Sequence, residues 1–348
     1  MAEARFDEAL AADPAGLIAL GCAMMASGKG GKAVALVAQV VAKHPDDPLL
    51  RRAAETILTH KVPSFHRDML ADEARNRAYR RAIERAGVQG KAVLDIGAGS
   101  GLLAMLAARA GAARVYACEA NEALAATAAT IVAANGFGDR IRVLPCHSSA
   151  LDRDRDLGGG IDLIVSEIFS HDLVGEGALP ALAHAMVALA APGARILPAR
   201  ASIRVALAEF SGRQNGRVGM VEGFDLGLFD RHVPRALNVV TDHPKLALRS
   251  APQDLFVFDF QRGGGFPAAG ASVRLRATGA HPNGIVQWLR LQLDDEVSYE
   301  NVPGAGERSH WPAIFHPFDA DLSPEPGTEI EVHGWHDERR LLIWPDGI

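Results

Sequence analysis

A chain of 348 residues, 48% hydrophobic and 22% charged, holds enough apolar surface for about two packed domains and too much for a disordered protein. Its formal charge of −6 argues against a nucleic-acid partner and allows a cationic substrate. Cys22, Cys118 and Cys146 form no C-x-x-C pair and fit a reducing cytoplasm, and no apolar run of signal-peptide or membrane-spanning length supports secretion or a membrane span.

Residues 1–60 read as short helices. ARFDEALAADP stops at Pro14, GLIALGCAMMASG and GKAVALVAQVVAKHPDDP follow in helical rows, and PLLRRAAETILTH closes the set. Helix, glycine turn and helix with D-P punctuation suggest a tetratricopeptide-type hairpin of about 34 residues. A helical cap on the next domain or on a second subunit is an equal reading. From Lys61 the composition becomes charged. VPSFHRDMLADEARNRAYRRAIERAG predicts one amphipathic helix with Met69, Leu70, Ala74, Ala78 and Ile83 on one side. His66, Met69 and Arg75 on this helix precede a glycine loop, where Arg75 would form a bidentate fork with a ligand carboxylate. A solvated arginine is the plainer alternative.

The segment VLDIGAGSG is the first fixed point. An apolar strand ends at Asp95, Gly97, Gly99 and Gly101 alternate, and a helix opens at Leu102. Glycines there let the backbone turn and approach a ligand. The following strand RVYAC ends at Glu119, 24 positions after Asp95, near the roughly 20-residue spacing at which an acid meets a ribose diol. A nicotinamide site wants G-x-G-x-x-G, and position 102 is Leu. The single alternating triplet suits S-adenosylmethionine better, since its methionine tail has no pyrophosphate; a ligand-free strand–helix turn is the bland alternative. Glu119 with Ala120, and Ser148 with Ser149 after a third strand, complete the candidate cofactor contacts.

A buried strand over Ile161 to Ser166 leads into SEIFSHDLVGEGALP, which puts Glu167 and Glu176 nine positions apart around a turn. Two carboxylates held together repel, so the loop favours a planar cation that bridges them, and a guanidinium offers five donors in fork geometry. His171 and Asp172 between them give no recognised metal-ligand spacing, and two solvated glutamates are the plain reading. Beyond residue 198, Val/Leu alternation and Gly/Pro turns predict an all-β domain.

HRDML…DEARNRAY, VLDIGAGSGLLAMLAARAGA, VYACE, SEIFSHDLVGEGALP and SHW in this order resemble the protein arginine N-methyltransferase family from Pro63 onward. The resemblance implies an α/β fold: a Rossmann-like S-adenosylmethionine-dependent methyltransferase domain over 61–198, then a β-barrel substrate domain over 199–348, after the α-helical, TPR-like 1–60. It implies Arg75 at the cofactor carboxylate, Asp95 and the loop glycines around its methionine portion, and Glu119 at the ribose. Glu167 and Glu176 become the clamp on the target arginine, and His310 with Trp311 the barrel loop, with His310 a candidate proton acceptor. The G-E-G form of the acid loop is closest to branches of which one carries tetratricopeptide repeats. Ser309 replaces the usual Thr, and Ser149 stands where many members place an adenine-facing Glu. A dimerisation arm would fall at 223–238, with Leu226, Leu228 and Phe229 either docking on a partner or filling a core. Methyl transfer to a protein or peptide arginine in a cytoplasmic homodimer is the implied function, with no membrane or direct nucleic-acid partner. A methyltransferase for a small amine, guanidine or modified peptide, and a non-catalytic cofactor-binding scaffold, stay open.

Overall fold

The computed structural model describes residues 12–59, 65–211, 218–232, 234–279, 281–304, 306, 308–318 and 324–346. The helix expected ahead of Pro14 lies mostly outside them. Two compact units emerge, the first made of 1–67 and 87–167, the second of 68–86 and 168–348. These divide the chain elsewhere than the expected boundaries at 61 and 199.

In the first unit α1 (Pro14–Ala26), α2 (Gly30–Lys43) and α3 (Pro48–Leu58) start as their sequences dictate. Asp13 and Asp47 accept from backbone N–H groups of the first turns, with Pro at the head of α1 and α3. Gly21 lets α1 lie against α2, because a Cβ there would stand 2.6 Å from Val37 Cγ2. Val34, Val37, Val40, Leu50 and Ile57 form a core that also takes in Ala123. The N-terminal helices therefore act as a cap on the next helical layer.

Four parallel strands follow in the order β3–β2–β1–β4: β1 (Ala92–Ile96), β2 (Arg114–Cys118), β3 (Ile141–Leu144) and β4 (Ile161–Ser166). Their near-continuous burial is what helices on both faces of a parallel sheet require. Between them run α6 (Leu102–Arg109) and α7 (Glu122–Ala134). The order steps outward from β1 in both directions, so β1 and β4 flank a switch point whose carboxyl ends bear Asp95 and Glu167.

The charged stretch before the glycine loop is two helices, where a single one was expected: α4 (Phe65–Ala71) and α5 (Glu73–Arg85). Asp72 interrupts them, because its side chain accepts from Arg75 N at 2.9 Å and so starts α5 afresh. Helix α5 belongs with the β-rich part. Its Tyr79, Ala82 and Ile83 are fully buried, and Arg85 bonds Asp294 at 3.0 Å and Glu296 at 2.6 Å.

The rest of the second unit contains α8 (Ala178–His184), β5 (Ala190–Leu197) and the expected antiparallel region. Its main sheet has the order β10–β6–β13–β15–β9, with β11 also on β6 and β14 also on β13. The long β6 (Arg200–Phe210) and β13 (Gly284–Gln292) are its spine, and Phe210, Val286, Trp288 and Phe315 fill its core. The flanking strands are β9 (Leu237–Val239), β10 (Leu246–Leu248), β11 (Gln253–Asp259), β14 (Ser298–Glu300) and β15 (Ala313–Pro317). A three-stranded sheet joins β12 (Ala269–Arg276), β16 (Glu329–His336) and β17 (Leu341–Pro345). Between β6 and β9 a small hairpin, β7 (Met220–Val221) with β8 (Phe224–Asp225), leads into a short 3-10 turn. Here the core reading of the expected arm fails: Leu226, Leu228 and Phe229 are exposed, as are Met220 and Phe224.

Candidate active site

The first unit places the glycine loop at the head of α6. Gly97, Gly99 and Gly101 have φ of 71°, 53° and 80°, all in the left-handed region that a Cβ disfavours. Gly97 N and Ala98 N both donate to Cys118 O, at 2.9 and 3.0 Å, which ties the loop to the end of β2. A Cβ on Gly101 would also meet Val132 Cγ2 of α7 at 3.2 Å.

Glu119 joins the two corners: one carboxylate oxygen accepts from Gly99 N at 3.0 Å and the other from Asn121 N at 2.8 Å. A carboxylate has about four acceptor sites, so capacity remains for two hydroxyls. Asp95 is buried, and its Oδ2 accepts from Ala104 N at 2.9 Å in the first turn of α6. That bond pins the helix start to β1, a role that sequence order alone did not separate from ligand contact. His66 lies over the loop, since its Cε1 is the single neighbour, at 4.0 Å, of a Cβ built on Gly99. Burial lowers the His66 pKa, with Glu119 pulling the other way. Leu102 opens α6, and Ala120 is exposed beside Glu119. Ser149 is exposed and shares a 2.8 Å contact with His147 Nδ1, whereas Ser148 is 2% exposed and its hydroxyl has no partner among the described residues.

These features fit S-adenosylmethionine. The space beside Gly99 is open apart from one imidazole carbon, an acid with spare acceptor sites borders it, and the same unit buries an unmatched hydroxyl at Ser148.

In the second unit the chemistry gathers on Asp72. Its Oδ2 lies 2.6 Å from Tyr299 Oη, 2.9 Å from His310 Nδ1 and 3.3 Å from His310 N, while Oδ1 takes the Arg75 N–H. Burial alone would raise the Asp72 pKa, but the bonds from His310, Tyr299 and the backbone outweigh it and hold the carboxyl at about 2. Burial and the Asp72 charge push the Tyr299 phenol up. With Asp72 ionised, His310 Nδ1 must be the donor, an arrangement that in a neutral ring leaves the lone pair on Nε2. Trp311 stabilises the loop by donating its indole N–H to Phe169 O at 2.8 Å, and its ring lies 4.1 Å from that of His310.

Arg75 is 3% exposed; its Nη1 donates to Asn76 Oδ1 at 2.7 Å, and its guanidinium lies 5.3 Å from the Tyr79 ring centroid. Met69 is half-buried on α4. Glu167 closes the first unit, half-buried after β4, and Glu176 is exposed in the second. The turn between them is tightly made: Ser170 bonds Asp172, and Gly175 N donates to Ser170 Oγ at 2.8 Å and Asp172 Oδ1 at 2.9 Å. Leu173 takes a φ of 74°, and it and Val174 are fully buried. Among the described residues, no three His, Cys, Asp or Glu side chains gather as a metal site would require.

The sequence reading did not single out Asp72 or Tyr299; Ser309, noted there as the replacement for Thr in the barrel loop, places its Oγ 2.7 Å from Tyr299 Oη. One signal was legible. Asp72 followed by Glu73 is a helix-start pattern inside an otherwise helical run, and such a break asks what else the Asp does.

Comparison with known proteins then gives the following. The model of the ribosomal protein L11 methyltransferase (PrmA) family matches residues 80–196. An arginine N(omega)-methyltransferase of Streptomyces achromogenes subsp. streptozoticus is 36% identical over 288 residues, covering 81% of this chain and 78% of that protein. A protein arginine N-methyltransferase 7 of Oryza sativa subsp. japonica is 33% identical over 302 residues, 80% of this chain but 40% of the rice protein, so the chain spans less than half of that relative. Among solved structures, the PRMT1 enzyme–prozyme heterotetrameric complex with AdoHcy of Trypanosoma brucei superposes with a TM-score of 0.71 at 24% identity, covering 82% of this chain and 93% of that one. At that identity the likeness speaks for the fold.

Proposed function

We propose that this chain, which belongs to the arginine N-methyltransferase family, transfers a methyl group from S-adenosylmethionine to an ω-nitrogen of arginine in a protein or peptide. The observation that carries the reading is the 2.9 Å bond from His310 Nδ1 to an Asp72 held ionised. A guanidinium has a pKa above 12, so its nitrogen must shed a proton when alkylated, and a neutral imidazole whose Nδ1–H is held by Asp72 offers Nε2 as a suited acceptor.

When bound, S-adenosylmethionine supplies an electrophilic methyl on a sulfonium. In the first unit Gly97, Gly99, Gly101, Leu102, Asp95 and His66 would serve its methionine portion; of the second unit's residues, Arg75 would serve its carboxylate and Met69 is a further candidate contact. Glu119 and Ala120 would take the ribose, and Ser148 and Ser149 the base side. Glu167 and Glu176 would each bind the guanidinium in fork geometry, localise its charge and leave one nitrogen lone pair to attack; such alignment supplies much of the rate of a displacement. His310 then receives the proton, with Asp72 stabilising the imidazolium.

A smaller substrate is the second reading, favoured by the name of the streptomycete relative, which specifies arginine and not protein. The exposed Leu228 and Phe229 support a homodimer joined through the 223–238 arm. Free Cys22, Cys118 and Cys146 support a cytoplasmic setting, and among the described residues no helix is long and apolar enough to cross a membrane.

The test is incubation with methyl-labelled S-adenosylmethionine and, separately, an arginine peptide, its lysine counterpart and free arginine, followed by acid hydrolysis. Methylarginine from the peptide supports the first reading, and from free arginine alone the second. Equal labelling of the lysine peptide refutes both, since an ammonium cannot bridge two carboxylates in one plane.

A further inference from the structure

We infer that Tyr299 is a positioning residue that sets the pH at which His310 becomes a competent proton acceptor, acting through the Asp72 oxygen that both residues share. The inference rests on the role given to His310 above.

Tyr299 Oη is 2.6 Å from Asp72 Oδ2 and 2.7 Å from Ser309 Oγ. A phenol has one proton, and the carboxylate is the stronger acceptor, so Tyr299 donates to Asp72 and the Ser309 hydroxyl donates to Tyr299. His310 Nδ1 shares that same oxygen, from 2.9 Å. His310 N at 3.3 Å and Ser309 Oγ at 3.4 Å reach the same oxygen more weakly. Donors on one oxygen compete, Tyr299 makes the shortest of these contacts, and charge drawn to the phenol is unavailable to an imidazolium. Tyr299 thus weakens the hold of Asp72 on protonated His310 and eases proton release, while Asp72 still fixes the Nδ1–H tautomer.

The surroundings are nearly closed. The charged and titratable groups tied to His310 through this cluster are Asp72, on its Nδ1, and Tyr299 from β14, on the same oxygen, with the Arg75 charge acting on Tyr299. Glu176, the clamp acid of the same unit, is proposed above to hold the guanidinium whose proton His310 takes. Ser309, Thr241 and Trp311 around them carry no charge; Ser309 N donates to Thr241 Oγ1 at 3.0 Å and Trp311 N to Ser309 Oγ at 3.1 Å. The Tyr299 ring sits 5.8 Å from the Trp311 ring, so removing only the hydroxyl preserves the packing.

The experiment is NMR titration of the His310 imidazole in the full-length, cofactor-bound protein, alongside kcat measured against pH. Tyr299→Phe should raise the His310 midpoint by about 1 pH unit and move the acidic limb of kcat to higher pH by the same amount. Replacing Tyr299 by 3-fluorotyrosine, a stronger donor of the same shape, should move both the opposite way, which separates tuning from damage to the fold. An unmoved His310 midpoint in both variants overturns the inference, as does a fluorotyrosine shift of the same sign as that of Phe. His310→Gln judges the underlying reading independently: if its acidic limb stays in place, His310 is not the acceptor, while the titration still decides what Tyr299 does to it.

Discussion

Replacing Asp72 by Asn tests how far the buried carboxylate carries both stability and chemistry. Its folded pKa of about 2 against about 3.9 in an unfolded chain amounts to about 2–3 kcal/mol at neutral pH. The sign follows from the direction: a carboxyl held below its ordinary value stabilises the fold above about pH 4, and that stability fades as pH falls toward 2. By pH 3 about half of it is gone. An Asn amide also turns its donors on Tyr299 Oη or His310 Nδ1–H, a mismatch of about 1–3 kcal/mol with little pH dependence. Asp72→Asn should therefore lie about 3–6 kcal/mol below wild type at pH 7, and the gap should narrow by about 1 kcal/mol at pH 3. Urea unfolding at fixed pH between 7 and 3 reads this directly. With the imidazole tautomer no longer fixed, kcat should fall by about 100-fold or more. A deficit that stays flat with pH would refute the assignment of Asp72 as a folded-state anion.

Three further outcomes are expected. Glu167→Gln and Glu176→Gln should each cut methyl transfer by about 30-fold or more while cofactor affinity stays near wild type, because a lost fork bond to a buried cation costs about 2–5 kcal/mol; near-normal turnover in both would end the clamp reading. Glu119→Gln keeps an acceptor for Gly99 N but loses the charge, and calorimetry should show S-adenosylmethionine binding about tenfold weaker or worse, with equal affinities counting against the ribose role. Leu228→Ser combined with Phe229→Ser should shift sedimentation from dimer to monomer without loss of folding, as both side chains are exposed; a wild type that is already monomeric at micromolar concentration rules out the arm.

The glycine corner was legible because its cause is local. Gly97, Gly99 and Gly101 adopt positive φ within five residues of one another, and strand–loop–helix order is written in a short window. Asp95 was legible as a carboxylate at a strand end but not in its direction, which depends on where the first turn of α6 brings Ala104 N. Asp72 was hidden for another reason. The Asp72-Glu73 helix-start pattern marks the acid locally but not what it bonds, and its partners Tyr299 and His310 stand 227 and 238 positions away. The expected single helix failed at the same residue, since amphipathic periodicity persists across a cap that only the backbone turn reveals.

Helix α5 is written before the glycine loop and packed with strands made much later. On a ribosome adding about 5–20 residues per second, its Asp72 waits on the order of tens of seconds for Tyr299 and His310. Over that interval the fully buried Tyr79, Ala82 and Ile83 have no lasting cover, a ready surface for chaperones. The same arrangement constrains gene rearrangement. A C-terminal fragment starting near residue 168 would inherit His310 and Tyr299 without the acid that both address, so this barrel cannot be grafted or exchanged as one contiguous cassette.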